Sequence, residues 1–548
     1  MLAGCTPWPK ELAERYRRNG YWEGLTLRDV LARSVDVHAD KPAVVFRARR
    51  ISYRELLESS DRLAAALLDV GLRSRQRVIV HLPNRPELVV TFMALVTMGA
   101  IPVMALPSHR LTEMRHLAKR SGATAYCIPA IHRDFDFRPM ADTLRSEFDC
   151  LRHIFVAGPA AAGQTSLDDL FAARPGDDAV IPRPDPADVA VMLLSGGTTG
   201  MPKLIPRTHN DYVCNAKLSG NIAGFSEKTV YLAVLPIAHN FTLASPGILA
   251  CFAYGGTVVI APGTAADNVM PLIERERITH VAAAVPLIVN WLNAADRGRY
   301  DISSLEVIGN GGARLAPELR RRVQSEFGCR FQESYGTGEG LLNMTRLDDE
   351  EDKILNSSGS PVCADDEIRV IDDDGRDLPD GEAGELICRG PYTIRGYYDD
   401  PEADAKSFTA DGFYRMGDVV RKFGRYVYTE GRKRDIINRG GEKFSTEEVE
   451  NFILGHPKVE NVCIVAMPDQ VYGERACAFI QPKAGLSVDL PEIVDFLLQK
   501  QIAKFKLPER IELIDGFPLS PAGKILRREL RVIVERKLAS EKQQSKLR

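Results

Sequence analysis

Apolar runs of strand length alternate with helix-length segments through the first half of this chain, and that rhythm limits the folds open to it more than any other feature. Between Arg77 and Leu82 the run Val78-Ile79-Val80 is followed by Pro83-Asn84-Arg85-Pro86, a helix-period stretch to Met98, Gly99 as a stop, and a second strand near Ile101 to Ala105. Strand-like runs recur at Ala125 to Ile128, Ile154 to Val156 and Thr257 to Ile260. Parallel neighbours need such crossovers, so the pattern predicts stacked α/β layers with parallel sheets. From about Glu367 short alternating strands and Asp/Gly turns take over, as in Asp372-Asp373-Asp374-Gly375, which predicts a β-rich subdomain. After Glu430 to Asp435 the pattern returns to mixed α/β, with a helix at Ser445 to Ile453, a strand at Val462 to Val465 and a helix from Pro491 to Lys500. The fold class is therefore α/β. A large domain is expected over residues 1–431 and a small α+β domain over 432–548, with the polar stretch from Ala539 to Arg548 expected to fray.

Composition removes several function classes. A net charge of -3 with 26% charged residues provides no basic field for nucleic acid or anionic lipid, so neither partner is expected. The apolar stretch from Leu88 to Leu106 is broken by Gly99 and Pro102, so no membrane span is expected. Leu2-Ala3-Gly4-Cys5 has the residue types of a lipoprotein box but lacks a basic, apolar leader, and lipidation is not expected. The ten cysteines include no close CxxC pair and no neighbouring His cluster, so neither zinc nor a disulfide framework is indicated and a reduced cytoplasmic setting is expected.

Chemistry concentrates in Ser195-Gly196-Gly197-Thr198-Thr199-Gly200-Met201-Pro202-Lys203, directly after the strand-like Val189 to Leu194. Glycines let backbone N–H groups approach an anion, hydroxyls add donors and lysine adds a mobile charge, which together suit the β- and γ-phosphates of ATP. Met201-Pro202 separates Gly200 from Lys203 and Leu204 follows, so this is not the Gly-Lys-Ser/Thr loop of kinases and P-loop ATPases. Downstream, in order, come His239-Asn240, Tyr335-Gly336-Thr337-Gly338-Glu339-Gly340, Tyr414-Arg415-Met416-Gly417-Asp418, Gly431-Arg432 and Leu519-Ser520-Pro521-Ala522-Gly523-Lys524. Singly these are weak, since an aspartate after glycine is often a turn residue, a lone lysine is usually solvated and a lone histidine is more often structural. Their fixed order carries the information.

That order resembles the acyl-adenylate-forming superfamily of acyl-CoA synthetases, luciferases and adenylation domains, over nearly the whole chain. Thr6 to Pro9, Tyr21-Trp22, Leu194 to Tyr212, His239-Asn240 and Asn343 to Asp349 are similar to stand-alone aryl-acid AMP ligases of the 2,3-dihydroxybenzoate type. The resemblance implies attack of an aromatic carboxylate on the α-phosphate of ATP, giving aryl-AMP and pyrophosphate. A phosphopantetheine thiol on an aryl carrier protein then displaces AMP. It implies Mg²⁺ held by Glu339, and catalytic roles for Lys524, His239 and Glu339, His239 gating the route by which acid and thiol meet. The nucleotide set becomes Ser195, Gly196, Gly197, Thr198, Thr199, Gly200 and Lys203, with Gly311, Gly312 and Ala313 as a floor, Ser334, Tyr335, Gly336 and Gly338 along adenine, and Asp418 and Arg432 on the ribose. The acid pocket becomes His239, Asn240, Phe241, Ser245, Gly309, Gly312 and Lys524, in which Ser245 faces the ring 3-position and favours a 3-hydroxyl. The C-terminal domain is expected to move about a hinge at Arg434, in a monomer or homodimer.

Four places depart from the family pattern: Gly309-Asn310 stands for Gln-Val, Thr337-Gly338 for Met-Ala, Met344 for Tyr, and Arg434 for Lys or Asp. A glycine at 309 enlarges or re-aims the slot, which keeps substituted benzoates and hydroxylated heteroaromatic acids open. An aryl-CoA ligase and a catalytically idle homologue are the alternatives. Fatty acids would leave Asn240 and Ser245 unpaired against an alkyl chain, at about 1–3 kcal/mol each.

Overall fold

The computed structural model describes residues 1–173, 180–195, 202–295, 297–432, 435–439, 442–469, 472–500, 502–520 and 524–546. Two large sheets form the first part of the chain. The seven-stranded sheet runs, in spatial order, Leu204–Thr208, Val189–Leu194, Ile101–Met104, Arg77–Val80, Ala125–Pro129, His153–Ala157 and Thr165–Ser166. The nine-stranded sheet runs Ser360–Pro361, Gly340–Met344, Arg330–Thr337, Val307–Gly311, His280–Ala283, Val230–Ala233, Thr257–Ile260, Pro42–Phe46 and Arg49–Ser52.

The interiors of both sheets are parallel, as the β-α-β rhythm predicts, but one edge of the seven-stranded sheet and both edges of the nine-stranded sheet are antiparallel. Leu204–Thr208 pairs antiparallel with Val189–Leu194, and Gly340–Met344 antiparallel with Arg330–Thr337. The links at 195–203 and 338–339 are too short for a crossover helix and close as hairpins. The glycine-rich segment thus joins two strands of a hairpin, whereas a kinase-type loop joins a strand to a helix.

Helices hold the layers together. Pro86–Thr97 starts with proline at its first turn and is buried along almost its whole length, so the apolar stretch noted in the sequence is core. Among the described residues no helix is long and apolar enough to cross a membrane. Tyr53–Asp69 opens on a reciprocal cap between Ser52 and Glu55. All ten cysteines are free thiols.

The β-rich part is a four-stranded antiparallel sheet of Glu367–Ile371, Gly384–Arg389, Tyr414–Phe423 and Tyr426–Arg432. The next described strand, Ile436–Arg439, belongs to a separate five-stranded sheet with Glu442–Ser445, Gly473–Pro482, Val459–Asp469 and Arg510–Leu513. That sheet has its own core, where Ile437, Val449, Ile453 and Ile464 meet Ile493 and Leu497. The helix Arg527–Lys546 packs Leu530 and Val534 on its other face. It continues past Ala539, against the expected fraying, and Glu541 anchors it by accepting two bonds from Arg510 at 2.7 and 2.9 Å. Arg434 and residues 196–201 lie outside the described residues.

Candidate active site

The neck of the glycine-rich hairpin closes on itself. Ser195 donates its N–H to the Lys203 carbonyl at 3.0 Å, and the Lys203 N–H reaches the Ser195 hydroxyl at 2.9 Å. Gly196, Gly197, Thr198, Thr199 and Gly200 fall outside the described residues. Behind the neck, Arg207 is fully buried and its Nε bonds Asp211 at 2.7 Å. The same guanidinium donates to the Gly338 carbonyl at 2.9 Å and the Tyr392 carbonyl at 3.1 Å. One planar cation thereby ties the hairpin to the turn that carries Glu339 and to the chain near 392.

Glu339 sits between the strands Arg330–Thr337 and Gly340–Met344, 6% exposed. Its Oε1 accepts the Tyr397 hydroxyl at 2.8 Å, and its other oxygen takes no donor among the described residues. The ammonium of Lys203 lies 4.3 Å from the centroid of the same Tyr397 ring.

Val307–Gly311 runs parallel to Arg330–Thr337, and the pairing sets Gly311 opposite Ser334. Asn310 braces the bend that follows: its amide donates to the Ala313 carbonyl at 2.7 Å and to the Glu333 carboxylate at 3.1 Å, which pairs with buried Arg320 at 3.0 Å. Tyr335 donates its hydroxyl to Asp418 at 2.8 Å, and Asp418 is the cross-strand partner of Arg432. Ser334, Tyr335, Gly336 and Gly338 follow one another along a single strand and its turn, beside Asp418. Met344, paired with Ser334, is fully buried.

On the opposite flank His239 caps the short helix Asn240–Ala244, its Nδ1 accepting the Phe241 N–H at 3.3 Å. Burial, helped by the charge of Lys524, pushes this imidazole down to about 4. It is therefore neutral near pH 7, and with Nδ1 accepting, the proton resides on Nε2. Asn240 accepts the Tyr212 hydroxyl at 2.9 Å and donates to Ser245 at 3.1 Å. Ser245 also accepts from Asn215 at 3.1 Å, so its own proton remains to be donated. The Phe241 ring lies directly on Gly311, where an added Cβ would come within 2.7 Å of it. At Gly309 an added Cβ would meet only ordinary contacts at 3.8–3.9 Å.

The segment between the strand Arg510–Leu513 and the helix Arg527–Lys546 delivers the last group. Lys524 is placed by an isolated antiparallel bridge between Leu519 and Ile525 and by its own N–H bonding the Ser520 hydroxyl at 3.0 Å. Its Cε lies 3.2 Å from where a Cβ on Gly312 would stand, and Gly312 has φ +91°, so glycine is needed there for both space and conformation. A cavity of about 370 Å³ opens between the two parts of the chain, lined by Leu235, His239, Ala284, Gly311, Glu447 and Lys524 among others. Residues far apart in sequence thus meet in one cavity, which Gly311, Gly312, His239, Phe241 and Lys524 line, while Tyr335 with Asp418, and Glu339 and Lys203 on Tyr397, form separate contacts outside that lining.

The AMP-binding enzyme family matches residues 31–398 of this chain, and the AMP-binding enzyme C-terminal domain matches residues 448–524. The chain belongs to the acyl-adenylate-forming superfamily. This ligase is 46% identical to the 2,3-dihydroxybenzoate-AMP ligase of Bacillus subtilis (strain 168), over 98% of this chain and 99% of that one. It is 43% identical to a salicylyl-CoA synthase / salicylate adenylyltransferase of a Streptomyces species, over 98% and 99%. Among solved structures it superposes on the apo structure of Mycobacterium smegmatis MbtA with a TM-score of 0.75 and 38% identity, over 96% and 98% of the two chains.

Sequence reasoning gave no separate role to several residues that brace the segments around the ligase's candidate site. Tyr397 has no distinguishing neighbour beyond Gly396, and Tyr212 reads as an ordinary helix residue. Arg207 did carry a signal, as a charge inside the strand Leu204–Thr208 that is otherwise apolar or small and is buried throughout. Asn310 was visible only as a departure from the family pattern, and its brace to Ala313 and Glu333 is a tertiary fact.

Proposed function

We propose that this ligase adenylates a hydroxylated aromatic acid, 2,3-dihydroxybenzoate or a close relative, and passes the acyl group to the phosphopantetheine thiol of a carrier protein. The observation that carries the reading is the approach of Lys524, from the segment before the last helix, to Gly312 beside His239. Charge builds on the α-phosphate as the carboxylate attacks, and a cation fixed in a water-poor cleft stabilises it more than one in bulk water. In this reading Lys524 is that cation, Asp418 and Arg432 hold the ribose, and Tyr335 lies along adenine above the backbone of Gly311 to Ala313.

Neutral His239 presents Nε2–H to the cleft without competing with Lys524 for negative charge. Glu339, a carboxylate with one oxygen unbonded among the described residues, fits Mg²⁺, which binds through few carboxylates plus phosphates and waters. When bound, that ion neutralises the phosphates and favours departure of pyrophosphate. On the acid side the Tyr212, Asn240, Ser245 and Asn215 network offers a polar point at the end of a slot walled by Phe241. An alkyl chain would waste it. Residues 1–431 act as the adenylation core and 432–548 as a domain turning about Arg434, in a cytoplasmic monomer or homodimer.

Acid-dependent ATP–pyrophosphate exchange tests this across 2,3-dihydroxybenzoate, salicylate, benzoate, 3-hydroxyanthranilate, hydroxypicolinates and a medium-chain fatty acid. Strong exchange with one aryl acid is expected, and preference for the fatty acid would overturn the pocket reading. Thioester formation with carrier protein against coenzyme A then decides the acceptor.

A further inference from the structure

Lys203 and Glu339 are opposite charges that touch the same side chain, yet among the described residues neither makes an ion pair. Tyr397 lies between them. Its ring face receives the Lys203 ammonium at 4.3 Å and its hydroxyl donates to Glu339 at 2.8 Å. The ring's negative face satisfies a cation, and the O–H satisfies a carboxylate, so one residue keeps both charges occupied without letting them neutralise each other.

The segment around Tyr397 is held firmly enough for such a role. The Ile394 N–H bonds the Glu339 carbonyl at 2.7 Å, and the Tyr398 N–H bonds the Leu204 carbonyl at 2.9 Å, next to Lys203. The Tyr397 N–H bonds Asp404 at 2.7 Å, and its ring packs edge-on to Phe408 at 6.2 Å. Residues 394–398 therefore bridge the glycine-rich hairpin and the Glu339 turn by backbone bonds, and Tyr397 repeats that bridge with its side chain.

We propose that Tyr397 is a positioning residue that holds Lys203 and Glu339 apart and preset, the lysine for a phosphate anion and the free carboxylate oxygen for the divalent cation that accompanies it. This rests on the reading of Glu339 as a metal ligand. Hydrogen bonds to a ligating carboxylate fix its rotamer, and losing one costs about 10–100-fold in metal affinity.

The test is binding of Mn²⁺ to the full-length protein with α,β-methylene-ATP, read by electron paramagnetic resonance, so no turnover is needed. Tyr397→Phe keeps the ring under Lys203 and removes only the hydroxyl. It is expected to weaken Mn²⁺ by about 10–100-fold while leaving metal-free nucleotide affinity at the parent value. Glu339→Gln is expected to lose the site, and adding Tyr397→Phe to it to cost nothing more. Parental Mn²⁺ affinity in Tyr397→Phe alongside loss in Glu339→Gln overturns the role of Tyr397. Parental affinity in Glu339→Gln overturns the metal-ligand reading itself. Should Tyr397→Phe not fold, 4-fluorophenylalanine at 397 fills the oxygen's volume without a proton to donate and carries the same comparison.

Discussion

Lys524 and Gly309 are the two residues whose environments make the sharpest claims. Lys524 reaches the cavity by lying against Gly312, and in the proposed function its charge serves the adenylation step. Lys524→Ala is expected to lower acid-dependent ATP–pyrophosphate exchange by about 10²–10³-fold, the scale for removing one preorganised electrostatic contact. Thioester formation from supplied aryl-AMP should largely survive, and equal loss in both assays would remove Lys524 from the first half-reaction. Gly309 is different in kind, because a Cβ added there meets only ordinary contacts at 3.8–3.9 Å. Gly309→Gln should leave the unfolding temperature near the parent's and cut kcat/KM for bulkier ring-substituted acids by about 10–200-fold relative to small hydroxybenzoates, the range a pocket's steric change commands. Unchanged relative preference would place Gly309 off the acid's path.

At the scale of elements, the four-stranded sheet is joined to the main body through a buried acid. Asp366 lies just before Glu367–Ile371, accepts the Tyr392 hydroxyl, and leaves its Oδ1 without a partner among the described residues. Burial pushes its carboxyl up to about 7. An unfolded aspartate titrates near 3.9, so between about pH 4 and 7 the folded state keeps a proton that the unfolded state has released. Stability contributed by this group is therefore present below pH 4, falls as pH rises to about 7, and levels off above. Asp366→Asn, which cannot ionise, should flatten that part of the profile: the unfolding temperature of the variant relative to the parent rises from pH 5 to pH 8. A constant difference across that range would show that Asp366 is ionised in the folded protein throughout.

At the scale of the molecule, two sheet systems with separate cores contribute to one cleft, and the cavity between them is where they meet. Such an arrangement suits a cycle in which the small domain presents Lys524 for one half-reaction and turns away for the other. Arg434→Pro should spare pyrophosphate exchange and abolish thioester formation by stiffening the link between the four-stranded and five-stranded sheets. Loss of both activities would contradict the hinge. The interface also holds Glu447, raised by burial to about 7 and facing Arg314, Glu450, Arg527 and Glu333.

Much of this plan was already legible in the order of residues. Alternation of strand and helix lengths fixes parallel layers in the sheet interiors, and the ordered signatures from Ser195 to Lys524 identify adenylate-forming chemistry, because each needs a particular side chain at a particular element end. Edge pairing was decided elsewhere: the links at 195–203 and 158–164 are both too short for a crossover helix, yet the first joins antiparallel strands and the second parallel ones. So were the contacts of Arg207, Asn310 and Tyr397, whose partners lie 131, 23 and 58 positions away along the chain and carry no local periodicity. A chain's own pattern records which face of an element is buried; which cation, carboxylate and hydroxyl then share that interior is settled only when the layers pack, because unpaired polar groups there are costly and must find each other.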